Sequence, residues 1–278
     1  MSVEPSPLLV VTPTLGISPW LAATVASVAA SGPQVCHVLV APPAAMADLR
    51  ARFPAVQVIA EPAGGSGMYA AINAGAAVPG WEAITYLNDD DLLLPRFRLV
   101  RAALSRVAAG TPAFAYGGVR LIDAAGHRLG AIPISGRPAD HRALYAERLE
   151  PVYQHGTVFN RPAWRSLGGC DPALRYCGDS DLLARACLLG LPARCATRAP
   201  VAAFRLHAGQ LSQRRAALRE ERERIDAQLG LLTGPSAAHR RRARLAFRLE
   251  NLPLYLERLL RHGPVTFDAL LARGGRQA

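Results

Sequence analysis

The densest cluster of chemically active side chains in the sequence is the run Asn88-Asp89-Asp90-Asp91, which follows the apolar segment 83–87. Three adjacent carboxylates repel one another, and a hard divalent cation such as Mg²⁺ or Mn²⁺ would relieve that repulsion and could bridge to phosphate oxygens. The alternative is a solvated turn in which Asp91 caps a helix that begins at Leu92. The run by itself leaves both interpretations open.

Two more carboxylates, Asp179 and Asp181, precede an apolar segment typical of a helix. A carboxylate in a loop near a sheet can act as a general base, whereas the commonest role of Asp before a helix is to cap it. His155 and His207 lie in short polar segments, where a structural role is more common than metal ligation. The glycine-rich stretch 64–67 could bring backbone N–H groups close to an anion, or could form only a flexible turn.

Short apolar segments alternate with helix-like segments along the first 90 residues. The predicted strands are 8–12, 35–40, 56–60 and 83–87, and the predicted helices between them are 19–30, 44–52 and 68–77. This alternation predicts an α/β fold with a largely parallel sheet, and ligands bind such sheets at the carboxyl ends of the strands. The loops expected to form a site therefore follow Thr12, Val40, Ala60 and Leu87.

The middle of the chain is less regular. Segments 114–123 and 128–134 predict a β-hairpin, and a short helix is expected near 142–148. Segment 181–189 predicts a helix that ends at Gly190.

After residue 212 the pattern becomes charged and helical, with predicted helices over 214–232 and 239–260. We therefore expect the chemistry in a domain of residues 1–212 and an Arg-rich α-helical C-terminal extension over residues 213–278.

Composition excludes several classes of protein. Half of the 278 residues are apolar, which excludes a disordered chain, and no apolar run approaches the roughly 18 residues that a membrane-spanning helix needs. No signal peptide is recognisable at the N-terminus, so a cytoplasmic protein is expected. The five cysteines are odd in number and form no Cys-x-x-Cys pair, which favours reduced thiols over a disulfide framework or a zinc site.

The net charge of +11 comes entirely from arginine, since the chain has no lysine. Segment 214–278 holds 14 Arg against seven acidic residues and so carries +7 of that excess. Nucleic acid is disfavoured because no recognisable nucleic-acid module is present and few aromatics could stack on bases. The extension is best interpreted as docking on an acceptor or on the inner face of the plasma membrane; packing on the catalytic domain or on a second subunit, which would make a homodimer, stays open.

The order of these motifs resembles that of the family 2 glycosyltransferases. The resemblance begins at 10–15, which is similar to the opening strand and nucleotide-edge loop of that family, and is strongest at 86–91, which is similar to its DXD region. Further matching segments are 61–75, 155–161, 168–171, 178–185 and 204–212. Together they span about residues 8–212.

This resemblance implies a GT-A fold, a Rossmann-like α/β arrangement whose mostly parallel mixed sheet is flanked by helices, here followed by the helical extension. It implies a glycosyltransferase that uses Mn²⁺ or Mg²⁺ and moves a sugar from a nucleotide-sugar donor to a glycan or lipid-linked acceptor in surface polysaccharide biosynthesis. A single displacement at the anomeric carbon would invert its configuration.

The resemblance also implies roles for individual residues. Asp90 and His207 would hold the metal against the donor diphosphate, and Asp179 would be the catalytic base that deprotonates the acceptor hydroxyl. The residues expected to bind the nucleotide sugar are Thr12, Pro13, Thr14, Glu61, Asn73, Asn88 and Asp89. Those expected beside the acceptor, or supporting the site from behind, are Asp91, His155 and Asp181.

The chain departs from the family pattern in four places. Asn88 opens the DXD region, Gly178 stands where Glu often precedes the base, and segment 41–43 replaces an Asp-Gly-Ser-like loop. Ala63 and Ala70 occupy positions that are often Asp. These departures support a second hypothesis, a non-catalytic nucleotide-sugar-binding or scaffold protein with a degenerate GT-A site.

Overall fold

The computed structural model describes residues 7–32, 34–64, 67–208, 210, 214–230 and 233–265. The strands are β1 (Leu8–Pro13), β2 (Val35–Ala41), β3 (Gln57–Ala60), β4 (Ala83–Tyr86), β5 (Leu92–Leu93), β6 (Phe114–Ile122), β7 (Arg128–Ile132), β8 (Thr157–Asn160) and β9 (Ala193–Arg205). The helices are α1 (Leu21–Ala29), α2 (Met46–Arg52), α3 (Gly67–Ala76), α4 (Phe97–Leu104), α5 (His141–Ala146), α6 (Arg161–Leu167), α7 (Gly178–Leu188), α8 (Arg215–Leu229), α9 (Ala237–Glu250) and α10 (Leu252–His262).

The strands form one mixed sheet in the order β3-β2-β1-β4-β8-β6-β9-β5, with β7 paired to β6. The first four strands are mutually parallel, as predicted, and the long β6–β9 pair is parallel too. Strand β8 runs antiparallel between β4 and β6. The predicted α/β class with a mostly parallel mixed sheet flanked by helices is therefore confirmed.

Strand β1 lies at the centre of the core, and its residues 8–12 are all buried. Because successive side chains of a strand point to opposite faces, Leu9 and Val11 pack on the face covered by α3 and α7, whereas Leu8 and Val10 pack on the face covered by α1 and α4. Because helices cover both faces of the sheet, neither face of β1 meets solvent, and its sequence is a continuous apolar run without alternating polar residues. The sheet is thus a rigid base for the loops at its carboxyl edge.

Two local predictions are wrong. No helix begins at Leu92, because that residue opens β5, and α4 starts only at Phe97. The predicted helix over 239–260 is two helices separated at Asn251, whose buried amide donates to the Ile134 carbonyl at 3.0 Å and accepts from the Ile134 N–H at 3.3 Å. Pro253 in the first turn of α10 suits a new helix start.

The C-terminal helices pack against the rest of the chain. Helix α8 lies against α7, α10 lies against β7, and α9 places Ala243 and Phe247 on Ala143 and Leu144 of α5. The opposite face of α9 and α10 stays exposed. None of the described helices is long and apolar enough to cross a membrane. Residues 65, 66 and 211–213, which include part of the glycine-rich stretch and the expected boundary, lie outside the described residues.

Candidate active site

The carboxyl ends of the first four strands open into a cavity of about 810 Å³. Loops after β1, β3 and β4 supply one side, while the turn before β8, the start of α7 and the end of β9 supply the other. The predicted site residues that line it are Pro13, Thr14, Glu61, Asn88, Asp89, Asp90, His155, Asp179 and His207. Side chains as far apart as residues 13 and 207 therefore face one space.

Asp89 is fixed by the loop that follows β1. The Thr14 hydroxyl donates to Asp89 Oδ2 at 2.5 Å, and the Ser18 hydroxyl donates to the Asp89 carbonyl at 3.0 Å. Burial raises the pKa of Asp89 to about 6, and the charges of Asp90 and Asp91 add to the rise. The Thr14 hydrogen bond lowers this pKa but does not outweigh burial. The acidic run is thus tied to the strand beside it and is no freely solvated turn.

Asp90 is linked to the end of β9. His207 Nε2 lies 2.8 Å from Asp90 Oδ2, and the Trp20 ring lies against the His207 imidazole with 4.3 Å between ring centroids. Among the described residues, Asp90 Oδ1 and Asn88 Oδ1 are buried without a hydrogen-bond partner. These two unsatisfied oxygens, one of them on the carboxylate that contacts the imidazole, have a free-energy cost that a cation would remove.

Asp91 lies behind the cavity wall and is fully buried. Its carboxylate accepts from the Arg205 N–H at 2.9 Å and the Asn88 amide at 3.1 Å, and it lies 3.2 Å from His155 Nε2. Burial and the charge of Asp90 raise the pKa of Asp91. Burial alone would lower the pKa of His155, but the Asp91 carboxylate outweighs burial and leaves that pKa above its ordinary value.

The residues present fit a divalent cation only in part. No group of three or more His, Cys, Asp or Glu side chains forms a closed metal site within the described part of the chain. Asp90 and His207 offer one carboxylate and one imidazole, and Asn88 adds an amide oxygen. Such a set leaves most of an octahedral shell to water and to ligand oxygens, which matches how Mg²⁺ binds between a carboxylate and substrate phosphates.

Asp179 faces the cavity from the first turn of α7. Neither Asp179 nor Asp181 occupies the N-cap position, since Cys177 is the N-cap residue and makes no side-chain cap hydrogen bond. Within the first turn, the Ser180 N–H donates to the Asp179 carboxylate. Burial and the nearby Glu150 carboxylate raise the pKa of Asp179. Position 178 accommodates only glycine, because the Cβ of any other residue would lie 2.6 Å from the Tyr69 ring. A carboxylate with a raised pKa is a stronger base, as proton abstraction requires.

Besides Asp91, three of the residues expected at the site do not line the cavity. Thr12 is buried within the sheet and bonds to His37 Nε2 at 3.0 Å. The Asn73 side-chain amide donates to the Cys170 carbonyl at 2.7 Å and accepts from the Cys170 N–H at 3.0 Å. Asp181 is buried and pairs with Arg185 at 2.7 Å. These three side chains hold neighbouring segments together.

Other side chains line the cavity that the sequence did not single out as site residues. They include Trp20, Met68, Tyr69, Gln154, Arg175, Tyr176, Phe204 and Gln210. Four of them lie in segments that match the family pattern, Met68 and Tyr69 in 61–75 and Phe204 and Gln210 in 204–212, and that match was the sequence signal that could have identified them. Gln154 has no such signal, because its position next to β4 depends on the sheet order.

Solved structures similar to this chain include the mannosyltransferase PcManGT from Pyrobaculum calidifontis in complex with GDP-Man and Mn²⁺, with 16% identity, a TM-score of 0.57 and coverage of 98% of this chain and 82% of that one. S. aureus TarS 1–349 in complex with UDP-GlcNAc shows 13% identity and a TM-score of 0.60, over 91% of this chain and 79% of that one. Against the longer TarS chain, coverage is 92% of this chain and 44% of that one, at 12% identity and a TM-score of 0.58. No family model and no curated protein matches the sequence. At these identities the likeness shows a shared fold.

Proposed function

We propose that this protein is a glycosyltransferase that moves a sugar from a nucleotide-sugar donor to an acceptor hydroxyl. The observation that carries the proposal is one cavity with an Asp90–His207 pair on one wall and the basic carboxylate of Asp179 on another. A diphosphate and a reacting hydroxyl need these two different environments at once. Two proteins of the same fold were solved with GDP-Man and with UDP-GlcNAc, which supports a donor of this class.

The donor side would use the acidic turn. Asp90, His207 and the Asn88 amide oxygen would hold Mn²⁺ or Mg²⁺, and a bound cation would neutralise charge on the departing nucleoside diphosphate. Pro13, Thr14, Glu61 and Asp89 line the same wall and would contact the nucleotide. The Mn²⁺ in the PcManGT complex supports this cofactor class. Asp91 would act from behind the wall, where it fixes the backbone of Arg205 at the end of β9.

The acceptor side would use Asp179. Its carboxylate would accept the proton of an acceptor hydroxyl while that oxygen forms a bond to the anomeric carbon. The bond from that carbon to the phosphate oxygen breaks, and its electron pair leaves with the nucleoside diphosphate. One displacement on the face opposite the leaving group inverts the anomeric configuration. The class of acceptor proposed is a glycan or lipid-linked glycan of surface polysaccharide biosynthesis, on the family resemblance alone.

The first experiment measures melting temperature against UDP-, GDP-, dTDP- and CMP-linked sugars with and without Mn²⁺, because a ligand of the folded state raises that temperature. The shifting donor is then used in transfer and donor-hydrolysis assays with wild type and Asp179→Asn. Loss of turnover with an unchanged melting shift is expected, and Asp48→Asn on the exposed side of α2 is the matched control. Full turnover in Asp179→Asn would reject the assigned base.

The scaffold hypothesis is an outcome of the same assays. It is supported by the apolar segment 41–43 and by Ala63 and Ala70, which supply no carboxylate to the cavity. Donor binding without transfer or hydrolysis across the whole panel would establish it. Turnover that depends on Asp179 would remove it.

We also propose that α9 and α10 dock on an anionic lipid surface near the acceptor. Both acidic residues of these helices are engaged elsewhere, Glu250 with the Gly136 N–H at 3.1 Å and Glu257 with Arg128 at 2.7 Å. The outward face is therefore apolar and positive, and each Arg near anionic lipid contributes about 1 kcal/mol. Its exposed members are Arg241, Arg242, Leu245, Arg248, Leu249, Leu252, Leu256, Leu259 and Leu260.

Vesicle co-sedimentation tests this surface. Wild type should sediment with vesicles containing anionic phospholipid and not with neutral vesicles, and Leu256→Ser/Leu260→Ser should abolish sedimentation. Leu99→Ser, an exposed leucine of α4, is the matched control. A concentration-dependent dimer without vesicle binding would assign the face to a second copy of the chain.

A further inference from the structure

The backbone that leads into Asp179 is held by one side chain from far along the chain. The Glu221 carboxylate accepts the N–H of Arg175 at 2.9 Å, of Tyr176 at 2.6 Å and of Cys177 at 2.7 Å. Glu221 lies on α8 and is 3% exposed. Three consecutive backbone donors thus converge on one buried carboxylate, two residues before the proposed base.

This carboxylate holds the backbone that enters α7, and of its three donors the Cys177 N–H belongs to the helix terminus. The first turn of a helix leaves N–H groups without intrahelical partners, and the N-cap residue Cys177 makes no side-chain cap hydrogen bond. A negative charge at this end also complements the helix dipole, and hydrogen bonds to an ionised acceptor are stronger than neutral ones. The Cys177 thiol donates to the Leu218 carbonyl of α8 at 3.3 Å as well. The start of α7 is therefore seated on α8.

The next residue of α8 governs the charge beside the base. Arg222 bonds to Glu150 Oε1 through Nη1 and to Asp226 Oδ1 at 3.0 Å through Nε, and its guanidinium lies 5.8 Å from the Tyr145 ring centroid. The same Glu150 oxygen accepts the Ser180 hydroxyl, adjacent to Asp179. The Glu150 charge therefore has its counter-ion on α8.

We propose that Glu221 and Arg222 are positioning residues for the transfer reaction: Glu221 fixes the backbone that aims Asp179, and Arg222 balances the Glu150 charge beside it. This inference rests on the proposed role of Asp179 as the base. It makes α8 a working part of the active site, although none of the α8 residues whose side chains the structure describes lines the cavity.

The charged groups around Asp179 determine in which direction its pKa should change when Arg222 is replaced. The groups that face it are Glu150, His155, Tyr69, Tyr86, Tyr145, Cys170 and Cys177. Glu150 raises the pKa of Asp179 and His155 lowers it, whereas the phenols and thiols stay neutral because burial raises their own pKa values. Removing Arg222 leaves Glu150 unbalanced and should raise the pKa of Asp179 further.

The experiment compares matched pairs of variants in the full chain. Glu221→Gln should lower kcat about 10- to 100-fold, the cost of a misplaced reacting group, while the donor KM changes by less than about twofold. Glu220→Gln, an exposed neighbour on α8, removes the same charge and should behave as wild type. Glu221→Asp keeps the charge but shortens the reach, and should fall between them.

The second pair gives a pH readout that a merely structural role would not change. In Arg222→Gln the acidic limb of kcat/KM should move to higher pH, and in Arg222→Gln/Glu150→Gln it should return to or pass below the wild-type position. The control is Arg219→Gln, which is exposed. A uniform loss of rate with an unmoved limb in Arg222→Gln would overturn the electrostatic half of the proposal.

Amide hydrogen exchange tests the Glu221 contact without any activity. Exchange at residues 175–177 should speed up in Glu221→Gln and not in Glu220→Gln, while the sheet keeps its protection. Absence of transfer in the wild type would reject the proposed function and the positioning roles with it. Active wild type and inactive Asp179→Asn, with Glu221→Gln indistinguishable from Glu220→Gln, would reject the Glu221 role alone.

Discussion

The two sides of the cavity are built differently. The acidic turn on the proposed donor side is held by the sheet itself, through Thr14 after β1, Arg205 at the end of β9 and His155 before β8. Asp179, on the proposed acceptor side, follows backbone that is held by Glu221, a residue of a helix that is not part of the sheet. One side of the cavity is thus fixed within the sheet, whereas the other is fixed through a contact with α8.

The largest expected effects come from replacing one proposed functional residue on each side of the cavity, Asp179 or Asp90. Asp179→Asn should lower transfer on the order of 10²- to 10⁴-fold, the usual contribution of general-base catalysis, and leave donor affinity unchanged. Asp90→Asn should instead abolish the Mn²⁺-dependent part of donor binding. Isothermal titration with donor and Mn²⁺, alongside turnover, checks both. Equal loss of binding in the two variants would show that one region serves both tasks.

A second prediction concerns the support of the acidic turn. Asp91→Ala leaves His155 and the Arg205 N–H buried without their acceptor, and breaking a buried charged pair costs about 3–5 kcal/mol of unfolding free energy. Urea denaturation measures the change. Asp123→Ala, which removes a partly exposed carboxylate of the β6–β7 turn, should cost far less. A loss below about 1 kcal/mol for Asp91→Ala would mean that the turn does not depend on this pair.

A third prediction addresses the C-terminal helices. Asn251→Ala removes the partners of both backbone groups of Ile134, and an unsatisfied buried group costs about 1–3 kcal/mol. The free energy of unfolding should fall accordingly, whereas donor binding should persist because Asn251 lies away from the cavity. Loss of donor binding in a folded variant would contradict the independence of the donor side.

The smallest effect is a gain of stability. The folded-state pKa of Asp179 is raised, so folding favours its protonated form, and the associated stability is present below the ordinary carboxyl pKa of about 4 and is lost as pH rises through the folded pKa. Asp179→Asn removes the buried charge and should melt at a higher temperature than wild type at pH 7. The difference should disappear near pH 3. A lower melting temperature at pH 7 would show that the ionised carboxylate is stabilised by its surroundings.

The sequence predicts strands β1–β4 better than strands β8 and β9, for a physical reason. Strands β1–β4 are buried on both faces and alternate with helices, so local composition alone identifies them, and the acidic run follows β4 directly. Strand β9 carries Arg, Thr and Pro among its 13 residues and has no such pattern, while β8 is only four residues long. Their places in the sheet are set by pairing over long distances.

Contacts between distant residues were equally beyond prediction. Glu221 sits in a charged helical run where most carboxylates are solvated, and nothing local distinguishes it from its exposed neighbours Glu220 and Glu223. Asn251 was overlooked inside an amphipathic pattern, although the Pro two residues later was a signal for a new helix. The sequence leaves a helix-cap role open for Asp91, because its partner His155 is 64 residues away.

The contact between Glu221 and residues 175–177 also orders events during synthesis. The three N–H groups leave the ribosome long before their acceptor, because 44 to 46 residues separate them. At about 5–20 residues per second the delay is roughly 2–9 s, during which the N–H groups of residues 175–177 lack this acceptor. A nascent chain that already contains every described cavity-lining residue up to Gln210 therefore still lacks the carboxylate that holds the segment before Asp179, and the contact becomes possible only once α8 has been synthesised as far as Glu221.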